Sequence, residues 1–553
     1  MSAADLTERP VPLQGVPPDT LVANSVSGAL WTAVSRLTGF AQTLTVGAVL
    51  GATYLGNTYQ SVNSLPNIVY YQLLSGSLFA AILVPPLVHR IDAGDAPGGQ
   101  RLARGFLGAL LVFAVALALV LLVAGPLIMR ALTIDIADPA AAAASRRVGL
   151  VLLAIFVPQI LLYTVAGTGA AVMNAHGRFA LAAGAQTVEN IGMILTLLFA
   201  GLIFGTVNGI RSVPPGEILL LGVGTTTAVA LHAGCQWFGA RTSGIVLVPS
   251  RGWRDPAVRE ILARIPPTLA YTGLAAAQVL AVLVVADRVQ GGLVAFQFGL
   301  NFFYLPAAVV TWPIARAALP QLARLERAED YLGMRDELFR ATGLAAFVTI
   351  PAAVAYLMLA MPLALGVTFG NLATQTGVSL VAVSIASIAP AVIGDGAFIL
   401  ATYACYARKD ARTPLRSMLL RTGITLGCLA AAWALGLPVL PTLGLSLSIG
   451  SLAGATHLWH AVLRGAKVAG PDPGVTRLRR SLARAGLASL AMAGPAALVA
   501  AVLGRTLHGQ VGEVLAVAGA GIVGAAVYLG VQRAAGGEEL SALRDVVLRR
   551  AVR

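Results

Sequence analysis

Long apolar stretches, separated by short polar breaks, run through almost the whole chain. Residues 105–129 carry no charge, and residues 341–394 carry none either. A helix needs about 20 apolar residues to cross a bilayer, so the pattern predicts an all-α polytopic membrane protein with about fourteen transmembrane helices. The expected spans are residues 24–50, 58–88, 105–129, 148–173, 181–204, 218–239, 264–286, 291–320, 341–362, 377–406, 418–437, 442–463, 485–504 and 514–532.

Prolines interrupt the second and eighth spans at equivalent places, after Leu65 and after Leu305. Because these spans are an even number of crossings apart, the two halves of the chain would run parallel, as two six-helix lobes around a central cavity. Coincidence among proline-rich helices is the alternative. The expected division is a disordered cytoplasmic tail (1–22), an N-terminal lobe (23–240), a C-terminal lobe (241–465), and two extra transmembrane helices with a basic cytoplasmic tail (466–553).

Membrane topology explains the net charge of +14 without a nucleic-acid partner. The basic residues cluster in alternate loops, and the loops between are short and nearly neutral, which is the positive-inside pattern. We therefore expect no nucleic acid as a partner and place both termini in the cytoplasm. Nearly every basic residue is arginine, which suggests a GC-rich bacterial genome and hence the bacterial cytoplasmic membrane.

The sequence contains no pattern of enzyme chemistry. Its loops are too short for a catalytic domain, and it has no glycine-rich phosphate loop, paired carboxylates or Ser/His/Asp set. Cys235, Cys405 and Cys428 have no regular spacing, and His232 and the other histidines are scattered, so we expect neither a disulfide framework nor a metal site. The chain is predicted to be a transporter without a cofactor.

A few polar residues inside the apolar spans are the candidates for function. Arg36 lies near the middle of the first span, where snorkelling is hardest, so we expect it to face a wet cavity and to suit a phosphate or carboxylate. Glu189 and Asp395 could each bind a proton or a monovalent cation, pair with Arg36, or lie buried as neutral carboxyls. The second span is unusually polar, which favours a cavity wall over helix–helix hydrogen bonds.

Several motifs occur in a fixed order along residues 20–465. They are SRLTGFAQTLTVGAVLG, SLPNIVYYQLLSGSLFAAILVP, MNAHGRFALAAGAQTVENIGMI, FFYLP, YARKDARTP and GLSLSIG. Together they resemble the MurJ (MviN) family of the multidrug/oligosaccharidyl-lipid/polysaccharide exporter superfamily. The resemblance implies a protein that flips lipid II, the undecaprenyl-diphosphate-linked peptidoglycan precursor, by alternating access between two lobes around a cationic cavity.

The resemblance also indicates which cavity charges of the family this chain lacks. Arg36 matches a family arginine, whereas neutral residues stand where the resemblance implies most of the other cavity charges: Gln42, Asn57, Tyr70, Tyr71, Ser75 and Asn301. Tyrosine at two of these positions would suit stacking on sugar rings. Including the polar residues of the second span, the expected substrate-binding residues are Arg36, Gln42, Asn57, Asn67, Tyr70, Tyr71, Ser75 and Asn301.

The leading hypothesis is therefore a flippase for lipid II or a related polyprenyl-diphosphate glycan. The alternatives are an exporter of a different lipid-linked saccharide or amphiphile, and a transport-deficient paralog that acts as a cell-wall scaffold. The expected partners are an undecaprenyl-linked glycan lipid, membrane lipids and cell-wall synthesis proteins. Membrane potential or a monovalent cation would drive the cycle, with Asp395 and Glu189 as candidate coupling sites.

Overall fold

The computed structural model describes residues 18–70, 83–134, 136–205, 209–263, 265–465, 473–507, 509–537 and 539–540, and these residues form helices and short connections without a β-strand. The helices are α1 (Pro18–Leu50), α2 (Tyr54–Ile68), α3 (Val84–Asp92), α4 (Ala96–Leu132), α5 (Pro139–Phe156), α6 (Gln159–Ala175), α7 (Phe179–Phe204), α8 (Pro215–Thr242), α9 (Pro256–Ala263), α10 (Ile265–Ala286), α11 (Gly292–Pro306), α12 (Trp312–Arg327), α13 (Tyr331–Met358), α14 (Ala360–Val367), α15 (Gln375–Ala407), α16 (Arg412–Ala434), α17 (Val439–Gly465), α18 (Pro473–Thr506) and α19 (Gly509–Ala534).

Among the described residues, 11 helical stretches are long and apolar enough to cross a membrane. The other expected crossings fall on α1, on α2 together with α3, and on α10. The predicted all-α polytopic membrane fold is confirmed, whereas the exact number of fourteen crossings stays a prediction.

The first lobe is built from α1 to α8, which pack on one another through small residues. Helix α7 lies between α1 and α8, and α8 also packs on α6. A Cβ at Gly192 of α7 would lie 2.7 Å from the Ala228 Cβ of α8, and one at Gly169 of α6 would lie 2.6 Å from the Gln236 carbonyl oxygen. Small residues allow such close approach in membranes, where lipid supplies no hydrophobic drive for helix association.

Helix α15 is the centre of the second lobe and packs on α11, α13 and α17. Its contacts again use small residues, with Gly394 against Leu452 of α17 and Gly299 of α11 against Ser384. The last two helices, α18 and α19, pack on each other and on α13 and α14. The Tyr528 hydroxyl of α19 donates to the Phe347 carbonyl of α13 at 2.7 Å, so this pair belongs to the second lobe.

The connection between the lobes is fixed to α4. We call residues 243–255 the linker strap. Arg104 of α4 donates from Nε to the Val246 carbonyl at 3.0 Å, and the Trp237 indole donates to the Leu247 carbonyl at 3.2 Å. The strap backbone approaches α4 so closely that a Cβ on Gly108 would collide with the Ser250 carbonyl oxygen.

The two proline-containing helices share a second feature. Beyond Pro66 the chain takes a π-helical turn at Val69 and Tyr70, and beyond Pro306 a π-helical turn covers Ala307–Thr311 before α12 begins. Proline removes a backbone hydrogen bond, and π turns accommodate the resulting misfit, often at functional sites. The repeated prolines in the sequence are thus accompanied by repeated π-helical turns in the structure. The predicted boundaries of the lobes stay predictions.

One end of the bundle is rich in arginine, and we call it the basic end. Helices α3, α8, α12 and α15 finish there. Arg408 at the end of α15 lies 3.4 Å from Glu326 at the end of α12, and Arg178 before α7 donates to Thr242 at the end of α8 at 2.8 Å. The loops that join α1 to α2 and α10 to α11 lie at the opposite end.

Candidate functional site

The two lobes are joined at the end opposite the basic end. Asn57 of α2 donates from Nδ2 to the Val289 carbonyl at 2.8 Å and accepts the Leu293 backbone N–H at 3.2 Å. Asn371 of the second lobe donates to the Val49 carbonyl of α1 at 2.6 Å. We call this interface, residues 47–61 against 287–298 and 370–372, the seal.

Backbone conformation keeps the seal tight. Gly51, Gly291 and Gly370 have φ of +63°, +72° and +53°, a region that side chains disfavour. A Cβ on Gly291 would also collide with Ala52, and one on Gly51 would lie 2.9 Å from the Asn371 Cβ. Glycine therefore supplies both the turn and the space at this interface.

Contacts between α1 and the second lobe continue from the seal toward the basic end. Thr43 accepts a hydrogen bond from Asn301 Nδ2 at 3.1 Å. One turn further, the rings of Phe40 and Phe302 meet edge to face with centroids 5.9 Å apart. The row ends at Arg36, which is exposed and holds its guanidinium 5.9 Å from the centre of the Trp312 ring.

Arg36 and Trp312 lie on opposite sides of this interface, on α1 and α12, and we call the exposed region beside them the cleft. Tyr304 of α11 is 40% exposed and precedes the π-helical turn that leads to Trp312. An exposed guanidinium beside aromatic rings can hold a phosphate through its planar donor fork while its face rests on the indole. The cleft therefore has the chemistry to bind an anionic head group with attached rings.

A buried polar network lies inside the first lobe. The Tyr163 hydroxyl donates to Glu189 Oε1 at 2.8 Å and lies 2.9 Å from Asn67 Oδ1. His232 Nδ1 is 2.6 Å from Glu189 Oε2, with both side chains at most 4% exposed. The Tyr70 ring stacks on Tyr163 with centroids 4.4 Å apart. Asn67 and Tyr70, expected to bind substrate, thus contact this network.

The second lobe contains a partly buried ion pair. Arg421 of α16 donates to Asp395 of α15 at 2.7 Å, and the two side chains are 12% and 13% exposed. Arg421 also lies over the Phe398 ring at 5.4 Å. The counter-ion of Asp395 is therefore Arg421 and not Arg36. Arg421 was not among the expected site residues, although it stands inside the expected span 418–437 and the rule that singles out Arg36 applies to it equally.

The remaining expected site residues lie in different surroundings. Gln42 points toward α7, with its amide nitrogen 3.1 Å from Met193 Sδ, and Asn57 is only 2% exposed within the seal. Tyr71 and Ser75 lie outside the described residues. Substrate binding by these residues, and ion coupling by Glu189 and Asp395, stay predictions.

Among the described residues, no group of three or more His, Cys, Asp or Glu side chains could hold a metal ion.

Two helical lobes joined at one end, with an exposed arginine in the cleft between them, define a polytopic membrane transporter. The family model described as "Lipid II flippase MurJ" matches residues 46–517. The chain therefore belongs to this family, and the resemblance seen in the sequence is confirmed.

Curated relatives are distant in sequence but match most of the chain. A "Probable lipid II flippase MurJ" of Rhizobium tropici is 25% identical over 77% of this chain and 76% of its own length. A protein of the same name from Vibrio cholerae is 22% identical over 72% of this chain and 74% of its own.

Solved structures show the fold. Lipid II flippase MurJ in its inward closed conformation superposes with a TM-score of 0.71 at 15% identity, over 96% of this chain and 100% of that one. An inward-facing multidrug resistance transporter of the MATE family, itself described as a member of the MOP superfamily, gives a TM-score of 0.57 at 15% identity, over 82% of this chain and 96% of its own.

Proposed function

We propose that this protein flips lipid II, or a closely related polyprenyl-diphosphate glycan, across the bacterial cytoplasmic membrane by alternating access. Family membership supports the substrate class. The observation that carries the mechanism is the position of Arg36, exposed in a cleft whose far end is closed by the seal. Transport of this kind needs a site that is open on one side and closed on the other.

The distribution of arginine supports an orientation. Arg90, Arg241, Arg324 and Arg408 lie at the basic end, and positive loops face the cytoplasm. Helix α1 begins and α19 finishes at this same end, which would place both termini in the cytoplasm. The seal would then lie on the outer side, and the cleft would open toward the cytoplasm, where lipid II is made.

In the proposed cycle the diphosphate approaches Arg36 from the cytoplasm, and the sugars stack near Trp312 and Tyr304 while the polyprenyl chain stays in the bilayer. No bond is made or broken, because the protein moves the head group without changing it. The seal then opens, the basic end closes, and the lobes rock about α1, α2, α10 and α11, which carry the contacts between them.

Coupling would come from membrane potential or a monovalent cation. One elementary charge that crosses the membrane gains about 2.3 kcal/mol per 100 mV. Glu189 and Asp395 are the candidate coupling sites, because each carboxyl contacts a side chain of another helix, His232 or Arg421, and a bound proton or cation would change that contact. Partners from cell-wall synthesis belong to the proposal as well.

A specific observation favours a different lipid-linked saccharide as the second candidate substrate. Asn57, Tyr70 and Asn301 hydrogen-bond or stack within the protein, where the family resemblance would have charged cavity residues. A cleft with fewer cations would hold a diphosphate more weakly, and a substrate with less negative charge would suit it better.

The test is complementation of a bacterial host depleted of its own lipid II flippase, with outward exposure of lipid II as the readout. We expect wild-type protein to restore exposure and Arg36→Ala to reduce it at least tenfold. Arg130→Ala, an exposed arginine at the end of α4, is the matched control and should behave as wild type. Membrane-inserted wild-type protein that fails to rescue would redirect the assignment to another lipid-linked glycan or to the scaffold.

A further inference from the structure

A carboxyl that the proposed mechanism does not use lies within the seal. Asp287 follows the last residue of α10 and is only 5% exposed. The Ser61 hydroxyl of α2 donates to its Oδ2, so the bond joins the two lobes. Ser61 itself is fully buried. Both groups are therefore out of water as long as the lobes are joined.

The hydrogen bonding of this carboxyl suits a neutral acid. Among the described residues no donor reaches Asp287 Oδ1, although the atom is buried. A buried carboxylate needs several donors or a paired cation, whereas a protonated carboxyl needs far less. Burial raises the pKa of Asp287 well above its usual range, and the Ser61 hydrogen bond opposes this only in part.

Charged and titratable groups of several elements surround Asp287 at this end of the bundle. Arg288, the next residue, lies over the Trp433 ring of α16 at 5.2 Å, and the Tyr59 hydroxyl of α2 pairs with Thr225 at 2.8 Å. Arg146 of α5 donates to Thr133 at 3.1 Å. The remaining groups at this end, on elements that pack around α2 and α10, are Tyr54, Cys428, the exposed Arg130 and Arg147, the Asp138–Arg211 pair before α5, and Glu217 of α8, which is 1% exposed.

We propose that Asp287 is a proton-binding site that stabilises the seal: its carboxyl is protonated while the lobes are joined, and it ionises when the seal opens to the outer side. Opening breaks the Ser61 bond and admits water, which solvates the carboxylate. The proton leaves to the outer solution and returns from it on closing, so the site drives no net proton flow. The proposal rests on the alternating-access cycle proposed above.

The direction of the pH effect follows from linkage. The closed state holds the proton more tightly than the open state, so proton binding favours closure. This stabilisation is complete below the ordinary pKa of a hydrated carboxyl and is lost as the pH rises through the higher pKa of the closed state. Between these limits the ratio of open to closed protein should rise about tenfold per pH unit, because opening releases one proton.

The experiment measures the distance between the lobes at the sealed end. Spin labels are placed at Ile134, beyond the end of α4, and at Leu435, beyond the end of α16, which are 69% and 73% exposed. The full chain, with its three native cysteines replaced, is studied in lipid nanodiscs by double electron–electron resonance from about pH 5 to pH 9. The readout is the ratio of long to short distances.

Three variants make the result specific. Asp287→Asn has no proton to release and should give a ratio that does not change with pH. Ser61→Ala removes the donor that favours the charged form, so its transition should move to higher pH. Asp138→Asn is the matched control, because Asp138 is a carboxyl at the same end that pairs with Arg211 within the first lobe, and it should keep the wild-type curve.

A wild-type ratio that does not vary with pH would overturn the proposal, and so would a wild-type slope retained in Asp287→Asn. A single short-distance population at every pH, in a protein that still rescues lipid II exposure, would overturn it too. A protein that shows two pH-responsive distance populations but does not restore lipid II exposure would support the proton site. That result would count only against lipid II as the substrate.

Discussion

A polar side chain inside an apolar span is explained by the group it contacts. Sequence rules identified Arg36, Glu189 and Asp395, because a charge inside a span is costly and therefore informative. They could not identify the contacts, since His232 and Arg421 stand on other helices than the carboxyls they pair with. The scattered spacing of His232 and the other histidines predicts no metal site, and it gives no sign of the bond between His232 and Glu189.

The Glu189–His232 pair yields a prediction about stability. Replacing His232 with alanine leaves Glu189 Oε2 without this hydrogen-bond partner in a buried site, which should cost about 1–3 kcal/mol. We expect a clearly lower apparent melting temperature in detergent for His232→Ala. The double variant Glu189→Gln/His232→Gln should lose less than the sum of its single variants, because paired residues couple.

The control for this measurement is His89→Ala, since His89 is exposed on α3. It should melt as wild type does. Equal melting temperatures for His232→Ala and His89→Ala would show that the Glu189–His232 contact contributes nothing to stability.

Helices were the most predictable level of the structure. Apolar length located nearly every one, and Pro66 and Pro306 indicated where two of them are interrupted. The π-helical turns beyond these prolines were not predictable, because they depend on how the rest of each helix packs. The linker strap was not predictable either, since its backbone approaches α4 at glycines that look ordinary in sequence.

The strap gives a prediction at the scale of one helix. In Gly108→Ala the new methyl group collides with the Ser250 carbonyl, so the strap should detach from α4. Trypsin should then cleave at Arg251 or Arg254 at least several-fold faster than in wild type, because a detached loop is open to proteolysis.

Gly99→Ala is the matched control on the same helix. No atom lies within 4 Å of the position of its Cβ, and alanine favours a helix over glycine by about 1 kcal/mol. Its strap should be cleaved at the wild-type rate. Equal cleavage of both variants would mean that the strap tolerates displacement from α4.

At the scale of the whole molecule, no pattern in the sequence indicates which residues join the lobes. Asn57 was expected to bind substrate because a charged family residue stands at that position, yet in the structure it bridges to Val289 and Leu293. Polarity within a span fits a cavity wall and an interface equally well. Only the arrangement of the lobes shows whether a polar residue lines a cavity or joins an interface.

The seal should weaken when Asn57 is replaced. Asn57→Leu removes a donor and an acceptor that bridge the lobes, and each such hydrogen bond contributes about 1 kcal/mol. The open fraction, measured with the same pair of spin labels, should rise about tenfold or more. Gln290→Leu changes an exposed residue within the seal itself, in the turn before α11, and should leave the distances as in wild type. An unchanged distribution in Asn57→Leu would show that other contacts hold the lobes together.

The strap also has a consequence for how the chain is made. Ribosomes complete the first lobe well before the second, and domains generally fold in the order of their synthesis. Because residues 243–255 bind α4 and α8, the first lobe has all of its own stabilising contacts once they emerge. A nascent chain stalled just beyond the strap should therefore already contain a folded first lobe. The remaining helices would then assemble on this lobe as they enter the bilayer.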